Sequence, residues 1–461
     1  MLDSRRGEGS RAGRRGLRLL IAAAILVAAV LALRTGGRPT VELESDLPGI
    51  GPRTIVTARG REPGRGLTGL VVELVQGERV VELAARTYEP LPAWRFWGAR
   101  TAEATLEVPV GSEVTPGLVE GDATVRVTAR GARAWLRGAG EATAQLALPV
   151  RLTPPRIAVV SSQHYPTQGG SEAVVYRLDS EVARHGVEAG EAFFPGYELP
   201  GGGNRFALFA VPYDLAPGTP IRLVAVDDVG NRSEREFVDR LRPREIRSDR
   251  VELSDEFMAR VAPAIEAQTP GLSGSGSLVD RYLAINSGLR AANRRTVAEL
   301  AAGTARELLW QGPFLAMPNG QVMARFADHR TYLYGGAEID RQDHLGYDLA
   351  SVQHAPVPAA NAGVVVMAEF LGIYGNVVIV DHGYGLMSLY GHLSALDVTP
   401  GDRVERGQTL GRTGMTGLAG GDHLHFGIFL QGVPVDPVEW LDADWIRNRV
   451  SRKLDAGGSP A

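Results

Sequence analysis

Seven of the nine histidines fall between residues 329 and 425, in the order His329, His344, His354, His382, His392, His423 and His425. Two of them stand one residue apart in "GGDHLHFGIFL" (420–430), an otherwise apolar run that reads as a strand. In a strand, residues i and i+2 point to the same face, so His423 and His425 project together while Leu424 and Phe426 turn to the other side. Adjacent same-face positions do not both suit one tetrahedral ion that must also keep a water, so one is read as a ligand and the other as its neighbour. A second segment completes the shell: "HLGYDLA" offers His344 and Asp348 from one loop or strand end. Imidazole and carboxylate donors suit Zn2+, with a fourth position left for water. Such an ion brings the pKa of that water to about 7, which makes a nucleophile available at neutral pH without a covalent intermediate. His392, at the end of a strand in "LYGHL", is the natural partner for His423 across the water. Neutral imidazoles there can take a proton and hydrogen-bond a developing oxyanion. The helical H-E-x-x-H motif of one class of zinc proteases is absent. So is cysteine, which excludes disulfides, thiolate ligands and a Cys nucleophile.

These side chains need a rigid frame, and the surrounding sequence reads as sheet. "PFLAMPNGQVMARFA" is a strand, an Asn319-Gly320 turn and a second strand. "GVVVMAEFLGIYGNVVIVDHGYGLMSLYGHL" continues as strand, turn, strand, "GYG" turn and strand. The order H-x-G-x-D (His344, Gly346, Asp348), "VDHGYG" (380–385), "LYGHL" (389–393), "GDRVERGQTLGRTGMTG" (401–417), "HLHF" (423–426) and "GVPVDPVEWL" (432–441) resembles the lysostaphin-type, LytM-like zinc metallopeptidases over about residues 313–441. The resemblance implies that His344, Asp348 and His425 hold zinc and that His392 and His423 are the catalytic histidines. It also implies a small antiparallel β core with a groove, and hydrolysis of peptide cross-links in bacterial peptidoglycan, whose peptide stems are then the partner. Some relatives keep the fold, lose metal ligands and activate other wall hydrolases, so a non-catalytic regulator is the alternative. Here every ligand and both catalytic histidines are present, which favours an enzyme. One letter departs from the family's habit: Gly427 stands after "HLHF" where Glu is frequent, a change that removes no ligand. His382 reads as a scaffold histidine, and His329 and His354 as surface or packing residues. Tyr347, Tyr374 and Tyr390 are groove-lining candidates, although aromatic residues in a β core usually pack. Substrate-binding residues are not legible.

The rest of the 461 residues reads as a mainly β, multidomain chain. Six arginines between Arg5 and Arg18 precede an uncharged apolar run, Leu19–Leu33. That pattern predicts an N-terminal transmembrane helix within residues 1–37, since a spanning helix needs about 20 apolar residues. By the positive-inside rule the chain is then a single-pass protein of the cytoplasmic (inner) membrane with its bulk in the periplasm or extracytoplasmic space. A cleaved signal peptide is the rival, without a clean cleavage site. Residues 38–152 and 153–244 alternate apolar and polar residues between Gly and Pro turns, as two immunoglobulin-like β-sandwich modules that could meet envelope protein partners. In 245–312 the period changes to helical. Ser254 precedes one helix, Ser277 with Asp280 forms a capping box before the next, and "GLSGSGS" links them. This segment reads as a packed linker, with a lid or partner-docking role as alternatives. The peptidase domain then occupies 313–441 and a tail 442–461. A formal charge of −4 and a pI near 6.2 leave no basic footprint for nucleic acid.

Overall fold

The computed structural model describes residues 9–33, 38–92, 95, 97–133, 139–272 and 274–458. The chain divides into two compact units, one running to Pro155 with Val226–Arg232 added, the other comprising Arg156–Ala225 and Ser233 onward. In the first, a three-stranded antiparallel sheet (Thr40–Ser45, Thr54–Arg61, Glu103–Val110) and a four-stranded one (Arg79–Thr87, Leu67–Gln76, Gly121–Arg133, Ala139–Val150) share one core. Alternate residues supply it, Val56 and Ala58 from one sheet and Leu70, Val72, Val125 and Val127 from the other.

A helix spans Gly9–Leu33, over the run for which a transmembrane anchor is expected. That expectation is corrected: among the described residues no helix is long and apolar enough to cross a membrane. The single-pass topology and the inner-membrane placement, which rest on that helix, are corrected with it.

The second unit is built around an antiparallel sheet of eight strands. Seven lie in the order Gln321–Ala324, Tyr347–Ala350, Leu424–Leu430, Leu386–Leu393, Asn376–Asp381, Gly363–Phe370 and Arg403–Val404, and Val433–Val435 pairs with Leu424–Leu430. Both faces are covered, which explains strands that are apolar almost throughout. Val378, Val380, Tyr390, Phe426 and Ile428 enter one cluster, continuous with the Phe194, Phe206 and Phe209 core of two further sheets between Ile157 and Glu236. Val377, Ile379, Met387, Leu389 and Phe429 point the other way and meet Val261, Ala262, Ile265, Ile285 and Val297 from a helical layer.

That layer comprises the helices Asp255–Glu266, Leu278–Leu283 and Arg290–Leu300. The Ser254 hydroxyl accepts the Phe257 N–H at the first N-terminus, and Ser277 and Asp280 close a reciprocal capping box at the second. The third is fastened to the sheet through Asn293, whose Oδ1 accepts the Ile373 N–H at 2.9 Å. Gly372, beside it, has φ +46°, and a Cβ there would come within 2.4 Å of Asn293 Oδ1, so the junction needs glycine on both counts. Ahead of these helices, Ser248–Glu252 pairs in parallel with Asp328–Tyr334, which in turn pairs with Ala337–His344. The helical segment and the chain leading to His344 thereby frame one side of the sheet.

Candidate active site

Strand register brings the proposed ligands together. Asp348 pairs with His425, and His425 with Gly391 on its other side. His344 ends its own strand and the chain turns at Gly346, where a Cβ would lie 2.7 Å from both Cε1 and Nε2 of His425. The glycine of H-x-G-x-D is thus the space into which the His425 ring fits. Asp348 Oδ1 lies 2.9 Å from His344 Nε2 and 2.9 Å from His425 Nδ1, and the two nitrogens are 3.1 Å apart.

The chemistry of this trio fits a cation. His344 Nδ1 lies 2.9 Å from the Arg325 carbonyl, which can only accept, so Nδ1 carries the proton and Nε2 its lone pair. That lone pair faces a carboxylate oxygen and a second ring nitrogen, an arrangement that a divalent ion at their centre turns from repulsive to attractive. His425 Nε2 is buried against Gly346 with no hydrogen-bond partner among the described residues. His344, Asp348 and His425 are also the group of potential ligands found among those residues. Two imidazoles and one carboxylate are a zinc-type donor set that leaves a position open.

His392 and His423 adjoin the trio. Their rings are 4.8 Å apart, and that of His392 is 5.9 Å from His425. His392, the last residue but one of its strand, has φ +65°, a left-handed conformation uncommon outside glycine and frequent at functional sites. Each ring has its tautomer set from behind: His392 Nδ1 donates to the Thr416 carbonyl and His423 Nδ1 to that of Gly421, both at 2.8 Å. Both Nε2 atoms therefore present lone pairs, that of His423 lying 3.6 Å from Asp348 Oδ1. Burial, reinforced by the neighbouring His423 and His425, holds His392 well below the ordinary imidazole range. Burial pushes His425 down to about 4, against the pull of Asp348. Burial also opposes protonation of His423, but the Asp348 carboxylate outweighs it and raises that group. Asp348 itself is pushed up by burial and pulled down harder by His344, His423 and His425, ending well below the carboxylate range.

The other singled-out residues have plain positions. His382 is fully buried; its Nδ1 donates to the Ala362 carbonyl and its Nε2 meets the Ser388 hydroxyl, both at 2.7 Å. His329 pairs with Asp343, and His354 Nδ1 lies 3.0 Å from the Ser394 hydroxyl. The Tyr390 hydroxyl accepts the Ala360 N–H in the core. Tyr374 lines the site cavity, its ring 5.5 Å from that of His425. Gly427 is buried opposite Leu389, and a Cβ on it would come 2.9 Å from the Phe429 ring, which fills the place of any side chain. Sequence reasoning missed Arg330, whose Nη2 donates to Asp348 Oδ2 at 3.1 Å. It also missed the helical segment's share of the cavity of about 380 Å3 beside the trio, whose walls include Leu253, Phe257, Tyr282 and Arg290.

Residues 342–437, which contain this arrangement, match peptidase family M23. The chain carries a peptidase M23 domain. Over 95 residues it is 41% identical to the DD-carboxypeptidase/endopeptidase Mpg of Neisseria meningitidis serogroup B, covering 21% of this chain and 22% of that protein. Over 96 residues it is 40% identical to the peptidoglycan DD-endopeptidase ShyA of Vibrio cholerae serotype O1, covering 21% and 22%. A longer stretch of 158 residues is 30% identical to the murein hydrolase activator EnvC of Escherichia coli, covering 34% and 38%. The chain thus spans less than two-fifths of the length of each of these relatives. The M23 domain is similar both to proteins named for hydrolysis and to one named for activating hydrolases.

Proposed function

We propose that this protein is a zinc-dependent endopeptidase that hydrolyses peptide cross-links of peptidoglycan, with His344, Asp348 and His425 as metal ligands and His392 and His423 as catalytic residues. The observation that carries the reading is the set of tautomers: His344, His392 and His423 each spend Nδ1 on a backbone carbonyl, leaving Nε2 for the cavity that all three line with Asp348. Zinc held by the trio would supply Lewis acidity and lower the pKa of water to about 7. His392 and His423, with free Nε2 atoms on the open side of the trio, take the proton of the attacking water. Once protonated, the same nitrogen donates to the developing oxyanion or to the leaving amine. Their carbonyl partners keep both rings in the acting tautomer, so no reorganisation is needed at the moment of reaction. Two relatives are named for D,D bonds, and the D,D cross-link is accordingly the bond proposed.

The test uses the full chain and isolated peptidoglycan. New peptide termini should appear with the native protein and zinc, and disappear with chelator. His425→Ala should lose both metal and hydrolysis, whereas His392→Ala should keep the metal and lose a factor of about 10²–10⁴ in rate. A protein that binds zinc stoichiometrically yet releases no termini would sink the enzyme reading. The similarity to EnvC supports a second reading, a regulator of other wall hydrolases. It predicts that the protein, itself inert, speeds cleavage when added to a separate peptidoglycan hydrolase.

A further inference from the structure

The cavity beside the metal trio has a second end, built largely by residues outside the matched 342–437 segment. Tyr282, 1% exposed, and Tyr374, 5% exposed, both line it. Among the described residues neither phenol hydroxyl makes a hydrogen bond. Both residues line the same cavity, where a ligand can reach the hydroxyls. Arg290 lines it too. Its Nε and Nη2 donate to the backbone and side-chain oxygens of Asn286 at 2.9 and 2.6 Å, which orients the guanidinium and leaves Nη1 available. Arg290 lies close enough for its charge to act on both phenols, each of which burial pushes up and so keeps protonated. The acidic side chains on the wall do not neutralise it. Asp348 is engaged by the histidines and Arg330, and Glu252 is turned to the Gly336 N–H. Two phenol O–H groups and a guanidinium edge put donors and one fixed positive charge on the cavity wall, which suits an anionic, hydrogen-bond-accepting group.

We propose that Arg290, Tyr282 and Tyr374 form a subsite for a carboxylate of the substrate peptide, next to the metal trio. The inference rests on the reading that the M23 domain takes peptide stems, and it names the group on those stems that is recognised. A carboxylate offers about four lone-pair sites and makes its strongest hydrogen bonds with charged donors. The cavity, at about 380 Å3, holds an amino-acid residue and not merely an ion. Arg290 and Tyr282 belong to the segment that precedes the family match and Tyr374 to the match itself, so the selectivity arises where the helical segment meets the M23 domain.

The test is a titration of the full-length, zinc-loaded protein with two synthetic stem peptides, one with free carboxylates and one with each converted to carboxamide. The native protein should bind the free acid on the order of tenfold more tightly, as expected for one charge-assisted hydrogen-bond group. Arg290→Gln should erase that ratio. Tyr282→Phe and Tyr374→Phe, which delete one unpartnered oxygen each, should shrink the ratio severalfold while leaving the unfolding temperature unchanged or higher. A structural role for the hydroxyls would instead lower that temperature. Equal affinity of the native protein for both peptides, or variants that weaken both equally, would overturn the subsite. If the preference holds and neither peptide nor peptidoglycan is cleaved, the subsite stands and the hydrolase reading fails. Cleavage without preference has the reverse meaning.

Discussion

Asp348 carries the balance of charge in the site. One of its oxygens faces His344 and His425, and the other takes Arg330 at 3.1 Å. Arg330 thereby fixes the rotation of the carboxylate so that Oδ1 remains the oxygen facing the two imidazoles. Partners of this kind tune metal affinity by about 10–100-fold, so Arg330→Met should weaken zinc binding by that amount in a competition against a chromophoric chelator. A dissociation constant within twofold of native would remove Arg330 from the metal centre. The histidines and Asp348 were legible in the sequence because their types are unusual and their spacing is short. Arg330 was not: it lies 18 residues before Asp348, in a strand whose register with Ala337–His344 no local pattern announces.

At the scale of elements, the strand period of two did most of the predictive work. It placed His423 and His425 on one side, and the structure adds that Gly427 and Phe429 follow them on that side, with Phe429 in the cluster under the helices. The doubtful glycine is answered by its neighbour, since the Phe429 ring occupies the volume over Gly427. Restoring the family's Glu by Gly427→Glu should therefore destabilise the domain by more than about 3 kcal/mol, through overpacking and a buried carboxylate. Gly427→Ala should cost about 1–3 kcal/mol. Denaturant titration measures both, and a Glu variant as stable as native would contradict this packing. The helices were legible from Ser254 and the Ser277–Asp280 box, because caps are local. Their place was not, because it depends on Asn293 reaching the Gly372 turn. Composition was the poorest guide at the N-terminus, where an apolar run read as a spanning helix and the described helix does not qualify.

At the scale of the whole second unit, segments far apart in sequence meet at Ser171. Its N–H donates to Glu439 Oε2 at 2.7 Å, and its hydroxyl accepts the Trp440 indole N–H at 3.1 Å, joining the strand Ser171–Leu178 to the residues just past the M23 match. Burial raises the Glu439 carboxyl to about 8, with the charge of Asp436 adding to the rise and the Ser171 hydrogen bonds opposing it. In an unfolded chain the same group titrates near 4.5. The folded state thus holds a proton that the unfolded state has lost. The stability Glu439 contributes is complete below about pH 4.5 and is lost as pH rises through about 8, with a limiting slope of about 1.4 kcal/mol per pH unit. Buried His164 and His382, both pushed down to about 4, have the opposite sign. Their contribution is present above about 6.5 and is lost as pH falls through about 4. Comparing native protein with Glu439→Gln cancels the histidines and isolates the carboxyl. Denaturation midpoints of the two proteins should diverge between pH 5 and 8, the native one falling relative to the variant. Parallel profiles would mean that Glu439 is ionised in the folded protein, and that the Ser171 junction holds a charge instead of a proton.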